Sequence, residues 1–380
     1  MVKLGNVCEI LDNQRKPVAK DKRKSGIYPY YGANGIQDYV DNYIFDGTFL
    51  LIGEDGSVIN KDNSPVVNWA VGKIWVNNHA HILKEKPEVA NLRYIYYLLQ
   101  TIDVSDIVAG TPPKINQQNL RNIKLQIPPL PTQLKVVEIL DKFTELQTEL
   151  QTELQTELKL RKKQYEYYRD KLLTFSEEER EKWGVRDVRI GDVCMINRGA
   201  SPRPIQHYIT KGNDGVNWLK IGDVENNAKY IYKTKEKITK EGVEKSRLCK
   251  KGDLILSTTM SWGRPYILAT DCCIHDGWSL ISGFDKNEIS PDYLYYYLKS
   301  NQVQKFWQNS QNTGSVSNLN TDIIKQTKLE IPTITRQKEI VKILDKFDTL
   351  VNDISKGLPR EIELRRKQYE YYRERLVNWG

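Results

Sequence analysis

Few residues of this 380-residue chain stand in a pattern that could do covalent chemistry. His79-Ala80-His81 places two imidazoles at i and i+2, which a strand would point to one face. A metal there needs more ligands, and no cysteine or carboxylate close in sequence completes a set. Cys272-Cys273-Ile274-His275-Asp276 has adjacent thiols, which chelate one ion poorly and read as a buried structural pair. Glu54-Asp55 followed by Lys61 has a faint nuclease character, but Gly53 and Gly56 around it describe a polar turn. The sequence contains no GxxxxGK[ST] loop, no strand–GxGxxG–helix unit, no HExxH and no Asn-Pro-Pro-aromatic or Asp-Pro-Pro-aromatic tetrapeptide. A non-catalytic chain without metal or cofactor of its own is expected.

Binding chemistry is better represented. Tyr28-Pro29-Tyr30-Tyr31-Gly32-Ala33-Asn34-Gly35 is a donor-rich loop, with Tyr31 and Asn34 its candidate contacts. Lys220 in Asn217-Trp218-Leu219-Lys220, and Ser261 and Arg264 in Ser261-Trp262-Gly263-Arg264, are comparable. Amides suit adenine and Arg or Lys suit guanine in the major groove of DNA. Lys114, Asn116 and Gln117 lie in a turn of amides, hydroxyls and lysine that matches a second turn with Asn318 and Asn320. Such turns can position phosphates, or can simply start the next helix. Both readings stand at this level.

These candidates are carried by a duplicated frame. Lys163-Gln164-Tyr165-Glu166-Tyr167-Tyr168-Arg169 recurs identically at Lys367–Arg373, and Ile139-Leu140-Asp141-Lys142-Phe143 at Ile343–Phe347, both 204 residues on. Leu125-Gln126-Ile127-Pro128 and Leu329-Glu330-Ile331-Pro332 keep that spacing. Leu4-Gly5-Asn6-Val7-Cys8 and Ile190-Gly191-Asp192-Val193-Cys194 are 186 apart, so the second copy is longer by 204 − 186 = 18 residues. Cys8 and Cys194 read as matched core positions. The expected fold is α+β: domain 1 over 1–130, a helix over 131–175, a linker and domain 2 over 176–332, and a second helix over 333–380. The helices are expected to pair antiparallel, giving a pseudo-two-fold plan that is circular, with the chain ends close together.

From Gln133 to about Leu173 nothing breaks a helix, and Thr132 and Thr335 are candidate caps. Inside it Thr144-Glu145-Leu146-Gln147 repeats at 148–151 and 152–155. The leucines at every fourth position give a slanted apolar stripe. Each unit is worth about 6 Å of rise, so the array could act as a ruler. In the second copy Gly357-Leu358-Pro359 is expected to end one helix and begin another. Tyr165, Tyr168, Tyr369 and Tyr372 lie on seams that can pack in the helix pair and receive another protein.

The net charge of +8 permits an anionic partner without requiring one. Five cysteines, no run that would span a bilayer and no signal peptide suggest the cytoplasm.

The order variable domain, helix, variable domain, helix, with these junctions, the ILDKF and LRxKQYEYYR blocks and the tetrapeptide array, resembles the specificity subunit of type I restriction–modification enzymes. The resemblance covers essentially the whole chain. It implies that each variable domain reads one half of a split double-stranded DNA target while the helices set the gap. It further implies two methyltransferase partners that bind S-adenosylmethionine and methylate adenine, and motor-nuclease partners using ATP and Mg. A protein scaffold with twin binding domains and a silent recombination cassette are the alternatives.

Overall fold

The computed structural model describes residues 1–225, 228–259, 262–311, 319–352 and 357–378. The chain forms two compact units, Met1–Thr152 with Glu363–Gly380, and Glu153–Ile362. It passes from the first to the second inside the tetrapeptide array. The α+β expectation is met, with two sheet-rich bodies and long helices.

In the first unit a six-stranded sheet runs in the order Cys8–Ile10, Ala80–Glu85, Phe45–Gly53, Val67–Val76, Ser25–Gly32, Gly35–Val40. In the second, a five-stranded sheet runs Met195–Arg198, Trp278–Ser282, Leu254–Ser257, Pro265–Leu268, Tyr230–Ile231. The first five places correspond, including an antiparallel run that turns parallel at the fifth strand. Register fixes the equivalences. Leu50 opposes Leu83, as Leu254 opposes Ile281. Ile10 opposes Leu83, as Ile196 opposes Ile281. The 18 extra residues therefore fall between Ile196 and Leu254, where the second unit builds most of a further sheet from Ile209–Thr210, Glu236–Ile238, Val216–Leu219, Cys272–Ile274 and Arg247–Cys249.

Each sheet is tied to the long helices by a tyrosine-rich helix, α1 (Leu92–Leu99) or α3 (Pro291–Leu298). Tyr94, Tyr97, Tyr293, Tyr295, Tyr296 and Tyr297 are all buried. Burying a ring this large removes extensive apolar surface from water, provided the hydroxyl finds a partner. Tyr97 donates to Asp141 at 2.5 Å and Tyr296 to Asp345 at 2.5 Å, using the matched aspartates of the two ILDKF blocks. The countercation differs. Arg93 on α1 pairs with Asp141, whereas Asp292 occupies that place on α3 and Lys229 from the sheet pairs with both Asp292 and Asp345.

The first long helix, α2, spans Leu130–Leu172, and the second is divided into α4 (Ile334–Asn352) and α5 (Leu358–Val377), as Gly357-Leu358-Pro359 predicts. Within the first unit Phe143 packs on Tyr372 and Thr144 bonds to Tyr369. Within the second, Tyr168 stacks on Phe347. The helix starts correct the capping expectation: Thr132 and Thr335 lie inside the first turns. Gln133 and Gln337, buried and 204 apart, do the fastening. Gln133 accepts from the Asn91 N–H and donates to the Pro128 carbonyl, and Gln337 accepts from the Ser290 N–H and donates to the Pro332 carbonyl. Each glutamine thus holds the start of a tyrosine helix against the start of a long one.

The C-terminal helix returns to the first domain. Val377 is buried in the same core as Leu4 and its carbonyl accepts from Tyr94, which supports the circular plan; Trp379 and Gly380 lie outside the described residues. Cys8 and Cys194 are core as expected, and burial pushes both thiols up to about 12. Among the described residues no helix is long and apolar enough to cross a membrane.

Candidate nucleic-acid interface

In the first unit four loop segments converge on one rim. Asn34 is exposed at the tip of the hairpin between Ser25–Gly32 and Gly35–Val40. The Asn77 N–H donates to the Tyr31 carbonyl, the Glu54 N–H to the His79 carbonyl, and the Gly56 N–H to the Pro113 carbonyl. Lys114 reaches Glu54 at 3.1 Å, and the Ile115 N–H donates to the Glu54 carbonyl. The rim so gathers Asn34, Lys114, Asn116 and Gln117. Tyr31 is corrected: its ring is only 8% exposed and packs in the core, because the strand pleat turns it inward while Asn34 turns out. Asn116 is exposed and caps the helix Gln117–Asn122 by accepting from the Asn119 N–H. Its match Asn320 caps Thr321–Lys325 by accepting from the Ile323 N–H. Both are helix starts, whatever else they touch.

Beneath this rim lies an ion cluster that joins distant segments. His81 faces Asp12 with Nδ1 at 2.7 Å and the Ile115 carbonyl with Nε2 at 2.8 Å. Arg15 donates to Glu54 at 2.6 Å and to the Ala80 carbonyl at 2.7 Å, and Gln117 donates to Asp12 at 2.8 Å. Asp12, Glu54 and His81 are thus near enough to share a metal ion, a grouping that is close in space and not in sequence. The geometry is that of an ion-pair cluster: both ring nitrogens face acceptors, and Arg15 and Lys114 already neutralise Glu54. Its visible effect is to moor the turn that carries Lys114 and Gln117.

Burial alone would raise the Asp12 carboxyl, but hydrogen bonds from His81 and Gln117 and the charges of His81 and Arg15 outweigh it and hold it below the usual range. A depressed carboxyl stabilises the fold above its unfolded value near about 4, and that contribution is lost as pH falls through the lower folded value. Asp12→Asn is therefore expected to cost on the order of 3 kcal/mol at neutral pH, from breaking a buried ion group, with a smaller penalty below about pH 4. Urea unfolding of both forms from pH 7 to pH 3 measures this. A penalty that stays constant to pH 3 would contradict it.

The second unit builds a corresponding rim with other chemistry. The Thr258 N–H donates to the Gly277 carbonyl, the Leu319 N–H faces the Thr258 carbonyl at 3.4 Å, and the Gly199 N–H donates to the Trp278 carbonyl. By sheet register Arg198, Thr258 and Ser279 stand where the first unit has Asp12, Glu54 and His81. A cleft of about 250 Å³ is lined by Ser201, Arg203, Trp218, Lys220 and His275 among others. Lys220 is half-buried and pairs with Glu236 at 2.7 Å. Arg264 is exposed, and its N–H donates to Ser257. Ser261 and Asn318 lie outside the described residues.

On the helices the tyrosines divide. Tyr165 is 4% exposed in the core of the second unit and Tyr369 is half-buried against Thr144, so as partner contacts these two rings are corrected to packing. Tyr168 and Tyr372 keep 37% and 41% exposure, and their neighbours Tyr167 and Tyr371 keep 61% and 51%. The last two are not among the sequence candidates; helical phase alone, one residue behind each seam, points to them. A second omission is the run Arg15-Lys16 to Lys20, Lys22, Arg23 and Lys24, whose lysines are all exposed. Its charge pattern is the signal that could have found it.

The family described as Type I restriction modification DNA specificity domain matches residues 1–160 and 181–364. This chain belongs to that family. A type I restriction enzyme specificity subunit of Haemophilus influenzae is 39% identical to it over 386 residues, covering 99% of this chain and 94% of the relative. The EcoR124I/EcoR124II specificity subunit of Escherichia coli is 32% identical over 301 residues, covering 76% and 71%. Among solved structures, a chain from a study of complex assembly and conformational transition of the type I R-M system aligns over 99% of this chain and 97% of its own, with TM-score 0.70 and 14% identity. The HsdS subunit of Thermoanaerobacter tengcongensis aligns over 99% and 96% with TM-score 0.55 and 16% identity. At those identities the likeness is one of fold. The chain is a specificity subunit rather than a catalytic one.

Proposed function

We propose that this specificity subunit supplies a type I restriction–modification complex with a bipartite, asymmetric DNA target, each rim reading one half-site through the major groove. The observation that carries the reading is one sheet frame whose matching positions at and beneath the two rims are filled differently: Asp12, Glu54 and His81 in one unit, Arg198, Thr258 and Ser279 in the other. A shared scaffold with divergent loops is what two related but different half-sites require. Lys16, Lys20, Lys22 and Lys24, together with Lys114, supply phosphate contacts. The long helices set the gap, and Tyr168, Tyr372, Tyr167 and Tyr371 offer docking surface to two methyltransferase subunits. S-adenosylmethionine belongs to those partners, and ATP and Mg to motor-nuclease subunits that join in the cytoplasm.

The test is an adenine-methylation map of cells carrying this chain and its methyltransferase, against cells lacking only this chain. A split motif that disappears with the chain is expected. Unchanged methylation, with both proteins expressed and associated, would overturn the proposal.

A further inference from the structure

The two rims differ in which hydrogen-bonding groups they leave available. In the first, the two cations of the mooring cluster are held by one carboxylate: Arg15 and Lys114 both pair with Glu54, at 2.6 and 3.1 Å. The hairpin beside them presents amides. Asn34 is exposed at the hairpin tip and Gln37 is exposed on the strand after it. Gln37 is also oriented from below. Asn77 is only 2% exposed, and its Oδ1 accepts from the His79 N–H at 2.8 Å. That bond fixes which way the Asn77 amide faces, so its Nδ2 donates to Gln37 Oε1 at 3.3 Å. Gln37 Nε2 is thereby held away from Asn77, and the second lone pair of Oε1 stays usable. The close floor is glycine: a Cβ at Gly32 would collide with the Gln37 amide itself.

The second rim presents an exposed guanidinium. Arg203 is 81% exposed on its side chain and holds Asp276 only at 3.4 Å. Asp276 is shared, accepting also from Ser201 at 3.2 Å and lying 2.9 Å from His275. One guanidinium edge therefore suffices for that contact, leaving further N–H donors of the fork.

We infer that the two half-sites differ in base type: Gln37, set by Asn77, reads an adenine in the first, and Arg203 reads a guanine in the second. This rests on the DNA-specificity reading above. Adenine shows an acceptor and a donor in the major groove, which one amide matches with its NH₂ and its oxygen. Guanine shows two acceptors, which two guanidinium N–H groups match and which an amide oxygen opposes. Asn77 is a positioning residue, because it acts through Gln37.

The experiment is the same methylation map made with full-length Q37A, N77D and R203A chains co-expressed with the methyltransferase. In Q37A an A·T pair of the first half-site is expected to relax, with about tenfold or more loss of discrimination, while the second half-site is read as before. N77D keeps the acceptor for His79 but loses the donor to Gln37, so it is expected to relax the same A·T pair. R203A is expected to relax a G·C pair of the second half only, and R203K to restore part of it. The retained half of each motif reports that the complex is folded and assembled. Relaxation at a G·C pair in Q37A, at an A·T pair in R203A, or at no position in either would overturn the inference while the wild-type split motif stands. Absence of any split motif with the wild-type chain would instead overturn the specificity reading beneath it.

Discussion

Deleting Thr148–Gln151 is expected to change the spacing between the half-sites and leave both half-sites intact. The segment is one unit of the array, in which the chain passes from one compact unit to the other. The array is anchored at its start, where Thr144 bonds to Tyr369 and Tyr97. None of 145–155 is buried, and Leu146 is 55% exposed. The helix there also carries a local ladder. Thr148 donates to the Thr144 carbonyl at 2.7 Å and Thr152 to the Thr148 carbonyl at 2.8 Å. A threonine every four residues matches the i to i−4 step, so one unit can be removed with the ladder restored on either side. The helix shortens by about 6 Å, and its C-terminal part turns by about 40°. With base pairs roughly 3.4 Å apart along the duplex axis, the gap is expected to shrink by one or two. Adenine methylation mapped in cells expressing the deletion reads this directly. An active complex with the wild-type gap would rule out the ruler.

Gly199→Ala is expected to remove recognition of the second half-site by unfolding its rim. Gly199 is buried, and an added Cβ would strike the backbone carbonyl oxygen of His275, with the Ile274 carbonyl close behind. Backbone cannot rotate away as a side chain can, so the two segments must part. That breaks the bond from the Gly199 N–H to the Trp278 carbonyl and displaces the neighbours Arg203 and Asp276. The cost is expected to be about 3 kcal/mol or more, at the upper end for overpacking. Hydrogen exchange would show lost protection in the second unit with the first unit unchanged, and methylation of the split motif would fall to background. Wild-type protection around Trp278 together with wild-type methylation would refute the account.

The repeat frame was legible because its signals are local. A helix needs only neighbours three and four residues away, so its length and its break at Gly357-Leu358-Pro359 could be read along the chain. Helix starts were less clear: Thr132 and Thr335 look like caps, and only packing shows that Gln133 and Gln337 fasten those starts, by accepting from backbone N–H groups more than 40 residues away in sequence.

The same division runs through the site. Sequence by itself determined that this protein is a doubled frame with amide-rich turns and two helical connectors, since composition and period suffice for that. Tertiary structure decided which residues of those turns face outward. Tyr31 and Asn34 are three positions apart, yet one is core and one is rim, because the pleat and the curl of the hairpin set the face. It also decided that Asp12, Glu54 and His81 meet. A charge cluster depends on distance in space, and no spacing along the chain encodes that three sheet segments and a turn will bring these groups within hydrogen-bonding range.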